Sequence, residues 1–266
     1  MIWGVPGDEL DLDARLMKMT GKTVKGIALE AAGLECKDYD FSRFTAAAVP
    51  ITSGLGIIGG FAKSVDAILD RLGMRSHVTA STDVTGFKEA VESGADIIMM
   101  SDDPTFVAYN TKEHRFTDNS WGTAMGYAVC LKNAAKGVEG KDVLVVGAGR
   151  VGAWASKILA DWGANVKVTD IVYEKAESLA SMGATPLRNV EKAISDNTLV
   201  INAAPYIIPG EIIAPGSIIS SPGVPHYYDL EGRTRCKAII HDPLEIGTAV
   251  MAVNSAAYTI RKEEET

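Results

Sequence analysis

The amino-acid sequence predicts an α/β protein in two parts, a small N-terminal α/β domain and a larger C-terminal domain built on a parallel sheet. Three observations carry this. Short apolar runs alternate with amphipathic helix patterns along most of the chain, the arrangement that produces parallel strands joined by right-handed crossovers. The glycine-rich turn GAGRVG at 147–152 directly follows an apolar run and opens a helix pattern, so the C-terminal part reads as a Rossmann domain. The 266 residues suit one large or two small domains. A polar stretch and a long helix pattern separate the halves, and we set the boundary so that 1–119 is the N-terminal domain. Residues 120–266 then hold a linker helix, the Rossmann domain and a C-terminal helix.

The elements follow in order. ELDLDARLMKM (9–19) has Leu10, Leu12, Leu16 and Met19 at mixed helical spacing, and KTVKGIALEAAG (22–33) keeps helical spacing up to a closing glycine. TAAAVP (45–50) is a short strand leading into the loop SGLGIIGG. FAKSVDAILDRLG (61–73) is a strongly amphipathic helix stopped by Gly73, and HVTAS (77–81) is a strand. DVTGFKEAVESG (83–94) reads as a helix with Asp83 as its cap, despite Gly86. DIIMMS (96–101) is a buried strand ending at Asp102-Asp103-Pro104, and FVAYNTKEHRFTDN is a polar loop or ribbon. SWGTAMGYAVCLKNAAKG (120–137) is a long helix with Asn119 or Ser120 at its cap. In the second half KDVLVVG, NVKVTD, TLVINAA, GSIISS and KAIIHD are five strands, and ATPLR is a weak sixth. RVGAWASKILADWG, EKAESLASMG and NVEKAISD are helices between them. LEIGTAVMAVNSAAYTIRKEEE (244–265) is a long helix expected to pack back across the molecule.

Composition narrows the function classes. At 47% hydrophobic and 23% charged residues the chain is an ordinary globular protein. Its apolar runs are too short to span a bilayer, and no basic segment precedes an apolar one at the N-terminus. The net charge is −8 with no Lys/Arg block, which argues against nucleic acid and anionic membranes and suits a cationic small molecule. Cys36, Cys130 and Cys236 are scattered and form no paired motif, as expected of small packing residues in a reducing cytoplasm. His77, His114, His226 and His241 show no helical pairing, and no metal motif is present.

The turn at 147–152 carries the clearest chemistry. Gly147 permits the tight turn, Gly149 lets backbone approach a pyrophosphate, and Gly152 lets helix and strand pack closely. Arg150 and Val151 lie in the first helical turn, where free N–H groups and the helix dipole favour phosphate. Asp170 ends the next strand, eighteen residues past Gly152. A carboxylate there accepts from ribose hydroxyls and repels a 2′-phosphate, so the expected cofactor is NAD rather than NADP. Asn202, Ala203, Ala204 and Pro205 follow one later strand and Ser221 ends the next, which places them near the cofactor at the carboxyl edge of such a sheet.

The loop SGLGIIGG is a second glycine-rich segment, with no downstream acid where a ribose would need one. Its spacing alone suits both a tight strand-to-helix connection and a ligand-facing rim that includes Ser53. Four segments add to this: PITSGLGIIGGF, IIMMSDDPTFVAYN, DNSWGTAMGYA and HDPLEIGTAVMAVNSAAY. Together they resemble the pyrrolysine synthase (PylD) family over nearly the whole chain. The resemblance implies an N-terminal substrate-binding domain and a C-terminal domain holding NAD. It implies a cationic, dipeptide-like substrate, lysine carrying 3-methyl-D-ornithine on its side-chain nitrogen. The terminal amine of the ornithyl part is oxidised to an imine, ammonia leaves, and the ring of pyrrolysine closes.

The same resemblance implies roles for Asp103 and Asp102 as the carboxylates that bind the amine and take its proton. It implies substrate contacts from Ser53, Phe61, Asn119 and Glu245, with the glycine-rich loop as the substrate-side rim. Read from the residues alone, the aspartates equally suit a turn before Pro104, Asn119 a helix cap, and Glu245 a favourable helix start. Other readings are a different two-domain NAD-dependent amine or amino acid dehydrogenase, and a non-catalytic NAD(H) sensor. The sensor reading needs a partner surface or a basic DNA-binding helix, and the sequence displays neither. The apolar linker and terminal helices leave room for a homodimer.

Overall fold

The computed structural model describes residues 11–34, 39–53 and 60–265. Helices α1 (Leu12–Thr20) and α2 (Val24–Ala31) come first. Asp11 caps α1 by accepting the Ala14 N–H at 2.8 Å, and Gly21 ends it in the left-handed region. There follow β1 (Thr45–Val49), α3 (Phe61–Arg71), β2 (Arg75–Val78), α4 (Asp83–Glu92), β3 (Ile97–Ser101), β4 (Phe106–Asn110) and β5 (Arg115–Asp118). The polar stretch after β3 is therefore a ribbon. It is recruited because β4 pairs antiparallel with β3, and β5 with β4.

These five strands form a sheet in the order β2-β1-β3-β4-β5. β1 is parallel to β2 and β3, and β5, antiparallel to an antiparallel strand, runs with them. The carboxyl ends of β1, β2, β3 and β5 therefore share one edge. Ile97, Ile98 and Met99 are fully buried in β3, as a strand covered on both faces requires.

Next are α5 (Asn119–Ala134), β6 (Asp142–Val146), α6 (Arg150–Asp161), β7 (Asn165–Thr169), α7 (Tyr173–Ser178), β8 (Thr185–Leu187), α8 (Val190–Ser195), β9 (Leu199–Asn202), β10 (Ser217–Ser220), α9 (Leu230–Arg235) and β11 (Cys236–Ile240). Six strands make a wholly parallel sheet in the order β11-β10-β9-β6-β7-β8. Counted from β6 this is 3-2-1-4-5-6, the dinucleotide-binding order, with its reversal between β6 and β9. The weak sixth strand is present as β8. Helix α9 was not expected from the sequence. Asp229 starts it by accepting the Gly232 N–H at 2.7 Å.

Helix α10 (Glu245–Glu264) ends the chain. It packs on α3, β4 and β5. Asn110 Nδ2 donates to the Ser255 carbonyl and the Thr259 hydroxyl at 2.8 and 2.9 Å, and Asn254 Nδ2 donates to the Thr117 hydroxyl at 3.0 Å. The first turns of α5 and α10 approach closely through glycines. A Cβ on Gly122 would sit 2.6 Å from Met251, and one on Gly247 2.6 Å from Thr123.

The chain forms two compact units, each discontinuous in sequence. One holds Met1–Ile27 and Tyr127–Pro243, the other Ala28–Gly126 and Leu244–Thr266. This differs from the single cut expected at 119/120. The terminal helix belongs with the five-stranded sheet, because its buried face matches β4, β5 and α3. The opening helix α1 belongs with the six-stranded sheet, where it contacts β11. Among the described residues, no helix is long and apolar enough to cross a membrane.

Candidate active site

In the six-stranded unit the dinucleotide turn is built by close approach. Gly147 has φ 94°, and a Cβ there would lie 2.8 Å from the Ala204 Cβ. A Cβ on Gly152 would fall 1.8 Å from the Gly147 carbonyl oxygen, so only glycine lets α6 start this close to β6. Gly149 is different. It is exposed, and a Cβ there would meet nothing within 4 Å. The turn is thus packed shut on its protein side and open on the other, as approach by a bulky anion requires. Arg150 and Val151 occupy the first turn of α6, whose N–H groups have no intrahelical acceptors.

Asp170 follows β7 and does a second job that the sequence did not reveal. Its Oδ2 accepts the Ala148 N–H and its Oδ1 the Val172 N–H, each at 2.8 Å. It therefore braces the glycine turn and the start of the next loop, while each oxygen keeps a further lone pair.

At the carboxyl ends of β9 and β10, Ala203 N–H donates to the Val146 carbonyl at 2.8 Å, and Gly223 N–H to the Asn202 carbonyl at 3.0 Å. These bonds tie the segments after β6, β9 and β10 together. Pro205 is exposed beside them. Asn202 and Ser221 are buried. Asn202 Nδ2 donates to the Tyr206 carbonyl at 2.9 Å. The buried Tyr228 hydroxyl faces the Ser221 hydroxyl and the Asn202 amide, and burial pushes it up to about 12. Within the protein, the Asn202 Oδ1, the Ser221 hydroxyl and the Tyr228 hydroxyl make no hydrogen bond of good geometry.

Two histidines adjoin this group. His226 and His241 stack with ring centroids 3.5 Å apart and planes 1° from parallel. His241 Nδ1 lies 2.7 Å from the Ser221 carbonyl. Burial, with the His241 ring next, lowers His226 to about 3. Burial also lowers His241. Both rings are therefore neutral at neutral pH. Tyr127 fixes the end of β11, since its hydroxyl donates to the Asp242 carbonyl and accepts the Asp242 N–H. Its own backbone carbonyl accepts the Ser220 hydroxyl at 2.8 Å. Neither the histidine stack nor Tyr127 carries a short sequence motif.

In the five-stranded unit the expected substrate residues gather at one sheet edge. Ser53 lies exposed beyond β1, and Asp102 and Asp103 lie exposed beyond β3. Phe61 begins α3 and packs edge-on against Phe106, with centroids 5.3 Å apart. Phe106 pairs with Ser101, so Phe61 adjoins the aspartate turn. Asp102 is engaged in that turn. Its Oδ1 accepts the Thr105 N–H at 2.8 Å, and its own N–H donates to the Thr105 carbonyl at 3.0 Å. Residues 54–59, the rest of the expected rim, lie outside the described residues.

Asn119 is the first residue of α5 rather than its cap. Asp118 plays that part by accepting the Ser120 N–H at 2.7 Å. Asn119 Oδ1 instead accepts the Thr123 hydroxyl at 3.0 Å, beside Gly247 on α10. This brings Asn119 to the helix turn that contains Glu245. Glu245 already has a cationic neighbour, Arg71, whose Nη1 lies 2.5 Å from Oε1. Nothing in the sequence linked these two.

The fold is shared with solved dehydrogenases. The quinate dehydrogenase of Corynebacterium glutamicum in complex with NAD superposes with a TM-score of 0.55 at 14% identity, over 82% of this chain and 97% of that one. A shikimate 5-dehydrogenase of Thermus thermophilus in complex with NADP(H) and shikimate gives 0.54 at 16%, over 82% and 92%. Residues 118–219 match the alanine dehydrogenase/PNT C-terminal domain. Fold and turn together define a dinucleotide-binding protein fold of the Rossmann type. Residues 2–117 match the N-terminal domain of the pyrrolysine biosynthesis protein PylD. The pyrrolysine synthase of Methanosarcina acetivorans is 34% identical over 249 residues, 91% of this chain and 92% of that protein. That of Methanosarcina barkeri is 34% identical over 247 residues, 90% and 89%. The chain belongs to the pyrrolysine synthase family and is an oxidoreductase of pyrrolysine biosynthesis.

Proposed function

We propose that the protein catalyses the last step of pyrrolysine biosynthesis with NAD. The substrate is lysine acylated on its side-chain nitrogen by 3-methylornithine. Its terminal CH2–NH2 loses a hydride from carbon and a proton from nitrogen to become CH=NH. The α-amine then adds to that carbon, ammonia is expelled, and the cyclic imine remains. The observation that carries the reading is an open-faced dinucleotide turn, braced by Asp170, in a chain related over 91% of its length to a pyrrolysine synthase.

When bound, NAD supplies the hydride acceptor. The turn fits it: Gly149 presents backbone with no side chain, and the α6 N-terminus favours the pyrophosphate. The free lone pairs of Asp170 suit ribose hydroxyls and its charge disfavours a 2′-phosphate. Asn202 ends β9, Ala203 and Pro205 follow it, and Ser221 follows β10, where nicotinamide-side contacts belong. On the substrate side, the reacting amine is an ammonium at neutral pH and must lose its proton first. Asp103 accepts that proton, and Asp102 holds the turn that presents it. Ser53, Phe61 and Asn119 orient the chain, and Glu245, shared with Arg71, holds a second ammonium.

The test is incubation of the full chain with the dipeptide and NAD, followed by mass analysis. Stoichiometric NADH, with a product lighter by ammonia and two hydrogens, is expected. Binding of NADH without any formation of it from this substrate sinks the proposal and favours a sensor.

A further inference from the structure

Asp83 stands where the sequence predicts a helix cap, yet its side chain does not cap α4. Thr82 occupies the cap position, and its side chain accepts no N–H of the first turn. Asp83 instead reaches back across 31 residues to the segment that follows β1. Its Oδ1 accepts the Thr52 N–H at 2.7 Å, and its Oδ2 accepts the Thr52 hydroxyl at 2.5 Å and the Thr82 hydroxyl at 2.9 Å. The Asp83 N–H donates to the Pro50 carbonyl at 2.9 Å. One residue thus grips the β1 exit by both backbone and side chain, immediately before Ser53.

The grip is held in a disfavoured conformation. Asp83 has φ 55°, one of three non-glycine residues with positive φ among those described. Such a conformation persists where the surroundings over-determine it. Here they do. Glu89 accepts the Ala80 and Ser81 N–H groups at 2.8 and 2.9 Å. The Thr79 hydroxyl donates to the Ser81 carbonyl at 2.8 Å. Gly86 lets α4 press onto this turn, since a Cβ there would sit 2.5 Å from the Ser81 carbonyl and 2.8 Å from Val49. The hydrogen bonds from the Thr52 side chain and backbone also keep the Asp83 carboxyl below its ordinary range.

We propose that Asp83 is a positioning residue: it clamps Pro50 and Thr52 at the exit of β1 and thereby sets the place of Ser53 for the reaction. The role of Ser53 rests on the function proposed above, whereas the clamp does not. The turn from residue 79 to 83 is the rigid base, and the Asp83 carboxylate is the arm. Asp103 and Asp102 emerge from β3, the strand next to β1, so the clamp also fixes the distance from Ser53 to the aspartate turn.

Three substitutions separate the parts. Asp83→Asn keeps tolerance of the left-handed region and one acceptor for Thr52. Asp83→Gly keeps the backbone freedom but no acceptor, and Asp83→Ala keeps neither. Hydrogen exchange with residue resolution on the full chain reads the clamp directly. Faster exchange at Thr52 and Ser53 is expected in the Gly and Ala variants, with β3 and α6 unchanged as folding controls and the Asn variant close to the original. With the dipeptide, kcat/KM should fall on the order of 10- to 100-fold in the Gly variant, with unaltered NAD affinity and rescue by Asn.

Exchange at Thr52 and Ser53 no faster in Asp83→Gly than in Asp83→Asn overturns the clamp, whatever the activity. Faster exchange with unchanged kcat/KM overturns the positioning role. If the unmutated protein makes no NADH from the dipeptide, the proposed function fails while the exchange measurement still decides the clamp.

Discussion

Replacing Asp170 separates the bracing role seen in the structure from the ribose-binding role proposed for the same carboxylate. Its oxygens take the N–H groups of Ala148 and Val172 at 2.8 Å each. Asp170→Asn keeps one carbonyl acceptor and turns an NH2 group towards the other N–H. A hydrogen bond to a charged group contributes about 1.5–3 kcal/mol. Losing one at a half-buried site should cost about 1–2 kcal/mol and lower Tm by roughly 2–8 °C. A loosened turn weakens NAD and NADP alike. Lost ribose contacts weaken NAD alone, by roughly 10-fold or more. The informative quantity is therefore the ratio of the two affinities, from titration of the variant and the original protein with both dinucleotides. A fall in Tm with an unchanged NAD-to-NADP ratio would show that Asp170 only braces the turn, and cofactor choice would have to lie elsewhere.

Four further outcomes follow from the structure. Gly152→Ala should cost about 3 kcal/mol, because its Cβ would stand 1.8 Å from the Gly147 carbonyl; Gly149→Ala should leave Tm nearly unchanged and weaken NAD, and normal NAD binding by it would remove the dinucleotide from that face. Stability should fall as pH drops below about 6.5, because half-buried His226 has its pKa lowered to about 3 and the unfolded chain takes up the proton first. Allowing for solvent screening, this amounts to about 1 kcal/mol between pH 6.5 and 5; thermal melts of the original protein and His226→Asn check it, and equal slopes refute it. Glu245→Gln should change Tm little, because its partner Arg71 is 42% exposed, while kcat/KM falls at least about tenfold; near-normal turnover would leave Glu245 with a structural role.

The parts legible in the sequence are those whose cause is local. The parallel sheet showed itself because β6, β7, β9 and β10 are apolar runs bounded by turn residues, and the dinucleotide turn because its glycines and Asp170 stand at fixed spacing. The parts that were hidden depend on distant partners. FVAYN alternates too weakly to declare a strand, and pairing with β3 decides it. Helix α9 contains Gly232 and is held by Asp229, which also accepts the Gly210 N–H nineteen residues earlier. Asn119 and Asp118 are equally good caps by type, and only the fold chooses Asp118. Asp83 followed by a helical pattern looks like a cap, and its attachment to Thr52 comes from tertiary structure alone. The pairing of Arg71 with Glu245 spans 174 positions and leaves no local trace.

The membership of α10 in the five-stranded unit also bears on how the chain is made. Strands β3 to β5 are complete by Asp118, but the helix that covers them begins at Glu245. Between the two parts of this unit the ribosome must add Tyr127–Pro243, nearly the whole of the other unit. At about 5–20 residues per second this takes roughly 6–24 s. During that interval the Asn110 and Thr117 side chains and the apolar face around them lack their native cover. All segments of the six-stranded unit are made before the last helix of the five-stranded one. The five-stranded unit is complete only once its last helix, α10, has been made.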